Sequence, residues 1–115
     1  MTPVSLIAIA DMFGSVADRE ALHRLLAAAE AEARAIPGCV RYVFTSTLAD
    51  PDHVVLVSEW RDRAAMQAHY ESDAFQRFQH SLQGLLIRQS EMVIHDITHS
   101  TRPIASGPMD PRDAD

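Results

Sequence analysis

The residues of this chain best suited to chemistry lie close together between Ser58 and Phe78, in the segment SEWRDRAAMQAHYESDAFQRF. The imidazole of His69 has a near-neutral pKa, so it can take a phenolic or carbon-bound proton at physiological pH. Trp60 offers an aromatic wall with an indole N–H donor, and Tyr70 follows His69 directly in the sequence. We therefore predict a catalytic group of His69, Trp60 and Tyr70 that orients a flat aromatic molecule and removes a proton from it.

Further large side chains are predicted to border a pocket around this group. The predicted substrate-pocket residues are Phe44, Tyr42, Met66, Phe75 and Phe78. A stripe of this kind is usually hydrophobic core, and the single Trp60 could equally be the largest side chain of that core. His69 likewise has a structural alternative, a half-exposed helical histidine that only packs on its neighbours. We expect a minority of the aromatic rings to border a cavity.

Other catalytic chemistries find little support in the sequence. Among the six histidines, His69 and His80 could share a helix face, but a rise of 1.5 Å per residue would separate them by about 16 Å. Cys39 is the single cysteine, so no intrachain disulfide and no cysteine-based zinc site can form. No G-x-S-x-G motif and no glycine-rich phosphate loop occurs. The sequence therefore predicts neither a metal nor another cofactor.

Composition and charge narrow the class of protein. A chain of 115 residues with 47% hydrophobic content suits one domain with a modest core. It has no apolar run of about 18 residues, and no basic residue precedes the short apolar stretch near its start, so we expect a cytoplasmic protein. The net charge of -6, without a basic stripe, argues against nucleic acid and membrane surfaces as partners. A small molecule or a second copy of the chain is the expected partner.

Hydrophobic periodicity and turn residues predict the elements that position these side chains. Helical spacing of leucine and alanine predicts a helix over 16–36, which Ser15 or Asp18 would cap and Pro37-Gly38 would end. Asp62 is a natural N-cap for a helix that reaches about residue 71. Ser72 or Asp73 can cap a second helix, which follows after a bend and reaches residue 86. The predicted strands are 4–13, 39–48, 53–61 and 90–98, with a hairpin turn over 49–52.

This order of elements predicts a ferredoxin-like fold. Strand, helix, strand, strand, helix, strand is the split βαβ pattern of an α+β sandwich, in which helices cover one face of a four-stranded sheet. The domain would span 1–98, and the Pro- and Asp-rich tail 99–115 would be disordered or laid as an arm on a neighbour. Glu59 would point away from Trp60, with Arg41 on the next strand as its ion-pair partner.

Strands one and three are apolar on both faces, whereas in a monomer of this fold one face of the sheet would meet water and carry polar residues. Something must cover the second face of the sheet. The simplest cover is the same sheet from another subunit, so we predict a two-fold homodimer in which two sheets pack face to face.

Several short motifs, in this order and spacing, resemble a known family. They are PGCVRY at 37–42, the Asp50-Pro51 turn, SEW at 58–60, RDRAAMQAH at 61–69 and SDAF at 72–75. The chain is similar over roughly residues 4–98 to the antibiotic biosynthesis monooxygenase family of dimeric α/β barrels. The resemblance implies a pocket between sheet and helices in each subunit, where some members oxygenate electron-rich aromatics without metal or flavin.

The resemblance leaves more than one activity open. The first hypothesis is a cofactor-independent monooxygenase for a phenolic, anthrone-like or quinol substrate and dioxygen, with His69 as the base. The alternative is a non-oxidative dimer on the same fold, a small-molecule binding or stress-associated protein or an isomerase. Haem degradation is a third, weaker option, because haem-degrading members use an Asn on the first strand with a Trp and a His, and this chain contains no Asn.

Overall fold

The computed structural model describes residues 3–103 and residue 107, and within them the chain forms four strands and three helices. In chain order these elements are β1 (Leu6–Phe13), α1 (Arg19–Arg34), β2 (Cys39–Ser46), β3 (His53–Trp60), α2 (Arg63–Glu71), α3 (Asp73–Gln83) and β4 (Glu91–Asp96). The strands form one antiparallel sheet in the order β2-β3-β1-β4. The predicted α+β ferredoxin-like fold, with a split second helix, is confirmed.

One face of the sheet carries the hydrophobic core. Alternate residues of β1 and β3 are buried, and Trp60 is 0% exposed at the end of β3. The register places Leu6 opposite Trp60, and Tyr42 of β2 opposite Ser58, so these side chains share the face that the helices cover. The helices add buried residues to the same core: Leu22, Leu26, Ala33, Met66 and Leu82. The aromatic residues of β2 and β3 are thus held between sheet and helices.

Side-chain caps determine where two of the helices begin. Asp62 Oδ1 accepts a hydrogen bond from the Ala65 backbone N–H at 2.8 Å, and Ser72 Oγ accepts one from the Phe75 backbone N–H at 3.1 Å. These two predicted caps are confirmed, with Ser72 rather than Asp73 in the second position. Ser72 has an extended backbone (φ -70°, ψ 152°) that ends α2 and begins α3. The bend therefore falls between His69 and Phe75.

The ends of some elements differ from the prediction. α1 begins at Arg19 rather than at residue 16, because Ser15 Oγ accepts from the Asp18 backbone N–H at 3.2 Å and holds the preceding residues in a turn. α3 ends before Gly84 rather than at residue 86, and Leu86 instead bridges to Gly14 at the end of β1. The first difference arises from a local hydrogen bond and the second from a tertiary contact, and hydrophobic periodicity encodes neither.

The second face of the sheet is open in a single chain. The described helices pack on the core side, while Ile7, Ile9 and Val57 on the other side are only half-buried, and Val93 of β4 is 56% exposed. The predicted pair lies on this face: Arg41 Nε is 3.4 Å from Glu59 Oε1. The expectation that both faces are buried therefore holds for one face within the chain, and the homodimer stays a prediction.

The remaining sequence predictions concern the membrane and the C-terminal tail. No helix of the described residues is long and apolar enough to cross a membrane. Residues 99–103 carry no helix or strand, and most of the predicted tail, 104–106 and 108–115, lies outside the described residues. The boundary between a domain of 1–98 and a tail of 99–115 stays a prediction.

Candidate functional site

His69 lies at the centre of an aromatic cluster that four elements build. Its ring, near the end of α2, stacks on Trp60 of β3 with centroids 5.3 Å apart and an interplanar angle of 28°. Tyr42 of β2 meets it edge-on at 5.4 Å, and Phe75 of α3 lies 5.1 Å away. Tyr70 is 4.8 Å from it. The fold thus brings together the three residues predicted as the catalytic group and two of the predicted pocket residues.

His69 and Tyr42 form a polar pair within this cluster. His69 Nε2 lies 3.4 Å from the Tyr42 hydroxyl oxygen, near the long end of hydrogen-bond distances. Burial lowers the pKa of the His69 imidazole below its ordinary value of 6.5. Burial also raises the pKa of Tyr42, and the nearby Tyr70 and Cys39 add to this effect. At neutral pH the pair therefore consists of an uncharged imidazole, able to accept a proton, and an uncharged phenol, able to donate a hydrogen bond.

A cavity of about 280 Å³ opens beside this pair, between α1, β2 and the bend that joins α2 to α3. Four of the predicted site residues line it: Tyr42, His69, Phe75 and Phe78. The opposite wall consists of Ala29 and Ala33 of helix α1 and of Ile36, which follows the helix, and these small or apolar side chains leave the space open. The walls are mainly apolar, as in most small-molecule sites.

Few polar side chains face this cavity. Ser72 lines it, but its hydroxyl donates to the His69 backbone carbonyl at 2.7 Å and accepts from the Phe75 backbone N–H. Glu32 lines it from an exposed position on α1. The imidazole of His69 and the hydroxyl of Tyr42 are thus the polar groups placed to contact a ligand at the buried side of the cavity.

Trp60 and Tyr70 lie behind the wall of the cavity rather than on it, and both contact the same buried hydroxyl. Trp60 Nε1 donates to Ser58 Oγ at 3.1 Å, and the Tyr70 hydroxyl lies 3.4 Å from the same atom. Burial raises the pKa of Tyr70, while the hydrogen bond with Ser58 opposes this shift. The Tyr70 hydroxyl and the Trp60 indole N–H therefore both have a partner within the core. A direct catalytic role for either residue stays a prediction.

Two predicted pocket residues lie outside this cavity. Met66 is buried in the core. Phe44 lines a separate cavity of about 190 Å³ between α1 and the end of β2, and its ring lies 5.6 Å from Tyr42 and 6.3 Å from Phe78. Phe44 packs on two of the rings that line the site, and neither Phe44 nor Met66 faces it.

Two parts of the site were not predicted from the sequence, namely Ser58 and the wall that α1 provides. Ser58 alternates with Leu56 and Trp60 on the inward face of β3, so its polar side chain at a core position was a signal that could have been used. Ala29 and Ala33 are four residues apart, and their small size on an apolar helix face is a weaker signal, since such residues usually allow close packing.

Among residues 3–103 and residue 107, no three His, Cys, Asp or Glu side chains are grouped so that they could hold a metal ion. The expectation of no metal and no other cofactor stays a prediction.

Comparison with known proteins identifies relatives of similar size and fold. The crystal structure of an antibiotic biosynthesis monooxygenase is 26% identical with a TM-score of 0.75, over 82% of this chain and 99% of that one. The protein PA3566 of Pseudomonas aeruginosa is 27% identical with a TM-score of 0.74, over 86% of this chain and 99% of that one. Rv0793 of Mycobacterium tuberculosis, at 24% identity and a TM-score of 0.77 over 84% of this chain and 98% of that one, supports the fold alone.

A curated relative and a family profile complete the comparison. The uncharacterized protein sll1783 of Synechocystis is 28% identical over 67 residues, which are 58% of this chain and 46% of that protein, so the match spans less than half of the relative's length. The profile of the antibiotic biosynthesis monooxygenase family matches residues 6–81, which run from β1 into α3 and include all the cavity residues named above. The match covers more than half of the chain, and the protein therefore belongs to the antibiotic biosynthesis monooxygenase family.

Proposed function

We propose that the protein is a cofactor-independent monooxygenase that oxidises a small phenolic, anthrone-like or quinol molecule with dioxygen. The observation that carries this proposal is the uncharged pair of His69 and Tyr42, 3.4 Å apart on the wall of an apolar cavity. Membership of the family supports the reaction class, although folds of this kind host more than one chemistry.

In the proposed reaction, His69 removes a proton from the bound substrate. With Nε2 unprotonated, the imidazole accepts the proton from a phenolic hydroxyl or from an activated methylene carbon. The Tyr42 hydroxyl then donates a hydrogen bond to the oxygen on which negative charge develops. The long Nε2–hydroxyl separation lets a substrate group compete for either partner.

The substrate anion then reacts with dioxygen. For an anthrone-like methylene, the carbanion gives its electrons to dioxygen, and a C–O bond forms between the two. Uptake of one proton by the resulting peroxide anion gives a hydroperoxide. Loss of water from the hydroperoxide leaves a ketone, so one oxygen atom enters the product and the other leaves as water. The substrate supplies all the electrons, and the proposal assigns no cofactor.

The dimensions of the cavity support a small, flat ligand. Its volume of about 280 Å³ lies just below the range of about 300–1,000 Å³ common for ligand pockets. Phe75 and Phe78 offer ring faces for stacking, and α1 closes the other side. Trp60 and Tyr70 act through His69 in this proposal: Trp60 stacks on the imidazole, and Ser58 fixes both residues.

A second candidate is binding of the same kind of molecule without oxidation, or its isomerisation. It is favoured by the small number of polar groups that face the cavity, because the hydroxyl of Tyr70 and the indole of Trp60 bind Ser58 instead. A ligand that binds and is recovered unchanged would support this candidate.

We also propose that a second copy covers the open face of the sheet. The half-buried Ile7, Ile9 and Val57 form an apolar centre there, flanked by the Arg41–Glu59 ion pair and by the contact between His53 and Asp11. A face of this composition is suited to pack against an identical face about a two-fold axis.

Oxygen isotope labelling tests the proposed reaction. Protein treated with chelator and freed of flavin is incubated under ¹⁸O₂ with a panel of anthrones and naphthoquinols, and the products are analysed by mass spectrometry. One labelled oxygen in the product, and a rate that scales with protein concentration, supports the proposal. Ligand binding with no label in any product would favour the second candidate.

A further inference from the structure

Two side chains of helix α1 hold the outer edge of strand β2. β2 is the first strand in the sheet order, so β3 pairs with one side of it and no strand of the described residues pairs with the other. Glu30 Oε2 accepts a hydrogen bond from the Phe44 backbone N–H at 2.9 Å, and Arg34 Nε donates to the Tyr42 backbone carbonyl at 3.2 Å. The helix thus occupies the place of a further strand at this edge.

Glu30 and Arg34 also bind each other. Arg34 Nη2 lies 3.0 Å from Glu30 Oε1, and their spacing of four residues places both on one face of α1 in the favourable order, with the acid first. The Glu30 side chain is only 21% exposed, so water and salt screen its charge less than at an open surface. Because an N–H bond to a carboxylate is among the stronger hydrogen bonds, this pair, which we name the edge clamp, restrains β2.

The edge clamp joins the two elements, α1 and β2, that form opposite walls of the cavity. Ala29 and Ala33, the residues directly before Glu30 and Arg34, line the cavity from α1, and Tyr42 lines it from β2. A shift of β2 away from the helix would widen the cavity. It would also move the Tyr42 hydroxyl from its position 3.4 Å from His69 Nε2.

We propose that Glu30 and Arg34 are positioning residues that fix β2 against α1, and so fix both the width of the cavity and the distance between Tyr42 and His69. The kinetic part of this proposal rests on the proposed function, whereas the geometric part does not. Neither residue needs to touch the substrate, because the clamp acts through the backbone of Tyr42 and Phe44.

The test compares Glu30→Ala and Glu30→Gln with Glu20→Ala as a matched control. Glu20 is on the same helix and pairs with Arg24 at 3.3 Å in the same four-residue spacing, but its side chain is 90% exposed and the pair does not contact β2. The readouts are amide hydrogen exchange at Phe44 and the NMR titration midpoint of His69, neither of which needs a substrate, followed by kcat and KM.

In Glu30→Ala we expect exchange of the Phe44 amide to accelerate about tenfold or more, since its acceptor is lost. We expect the His69 midpoint to rise toward 6.5 as water enters the cavity, and kcat to fall about tenfold with a smaller change in KM. The amide oxygen of Gln can still accept from Phe44, so Glu30→Gln should recover part of each effect. Glu20→Ala should match the wild type.

Two results would overturn the proposal. The first is a Glu30→Ala variant in which the exchange rate of the Phe44 amide and the titration midpoint of His69 both match those of Glu20→Ala. The other is faster exchange with an unchanged His69 midpoint and unchanged kcat, which would make the clamp a stability feature only. If Glu30→Ala does not fold, Glu30→Gln and Arg34→Lys provide the same comparison. Failure of wild-type protein to consume oxygen would contradict the proposed function and leave the substrate-free readouts valid.

Discussion

The hydroxyl of Tyr42 and Nε2 of His69 lie 3.4 Å apart although 27 positions separate the residues in the chain. Strand β2 carries Tyr42 and helix α2 carries His69, and a different neighbour positions each side chain. Trp60 stacks on the imidazole, while α1 binds the backbone beside Tyr42. The geometry of the pair therefore depends on several elements of the fold, and the pair supplies the polar groups at the buried side of the cavity.

Removal of the Tyr42 hydroxyl should lower activity more than stability. Tyr42→Phe keeps the ring that packs on Phe44 and Trp60, so we expect thermal unfolding close to that of the wild type. Loss of one hydrogen-bond donor to the developing anion should reduce kcat about tenfold to a hundredfold. Oxygen-uptake kinetics measure the effect, and a variant with unchanged kcat would remove Tyr42 from the mechanism.

The rate should depend on the protonation of His69. Because burial lowers its pKa below 6.5, the imidazole is already neutral at pH 7, and kcat should be level there and fall as the pH drops through that lowered pKa. A pH–rate profile between about 4.5 and 8 measures this. A midpoint above 6.5 would contradict a buried, neutral His69 as the base.

The same group should make stability depend on pH. Between the lowered pKa of folded His69 and its ordinary value of 6.5, the unfolded chain binds more protons, so the free energy of unfolding rises with pH in that window. The contribution is fully present above 6.5 and is lost as the pH falls through the folded pKa. Urea unfolding of wild type and His69→Gln at several pH values tests this, since the variant should lose that part of the pH dependence.

Ser58 should matter for stability although it lies outside the cavity. Ser58→Ala leaves the buried Trp60 indole N–H without its acceptor, which costs about 1–3 kcal/mol of unfolding free energy. The exposed Ser100 provides a control, and Ser100→Ala should change stability by less than about 0.5 kcal/mol. Denaturant unfolding of both variants gives the comparison, and equal stabilities would contradict the assigned hydrogen bond.

A charge at the centre of the open sheet face should separate the proposed dimer. Wild-type protein should sediment with about twice the chain mass of 12.7 kDa, and Val57→Asp should shift it to the mass of one chain. Leu48→Asp is the control, because Leu48 lies fully exposed in the turn between β2 and β3. A wild type that sediments as a single chain at micromolar concentration would contradict the dimer.

The sequence was sufficient to predict the fold because its local signals agree with one another. Leucine and alanine at helical spacing marked α1, and Asp62 and Ser72 marked the starts of α2 and α3 by their ability to accept from the backbone. The ends that differed, at Ser15 and Gly84, depend on single hydrogen bonds and a tertiary contact of Leu86. Such contacts have no periodic signature.

Several residues that line the cavity could be predicted from the sequence, but not which of the predicted rings face it. Tyr42 and Phe44 alternate onto one face of β2, yet Tyr42 lines the site cavity while Phe44 lines a separate one. Which of the rings borders open space depends on how far α1 stands from β2, and that distance follows from Ala29 and Ala33 together with the edge clamp. A long-range spacing of this kind cannot be obtained from a residue pattern within one element.

Oxygen consumption by His69→Ala measures whether His69 is the base. The measurement uses metal-free and flavin-free protein with the best substrate of the anthrone and quinol panel, and His80→Ala, an exposed histidine on α3, is the control. If His69 is the base, its variant should turn over about 10²-fold more slowly while His80→Ala keeps the wild-type rate. Equal rates in the wild type and in folded His69→Ala would show that His69 is not the base.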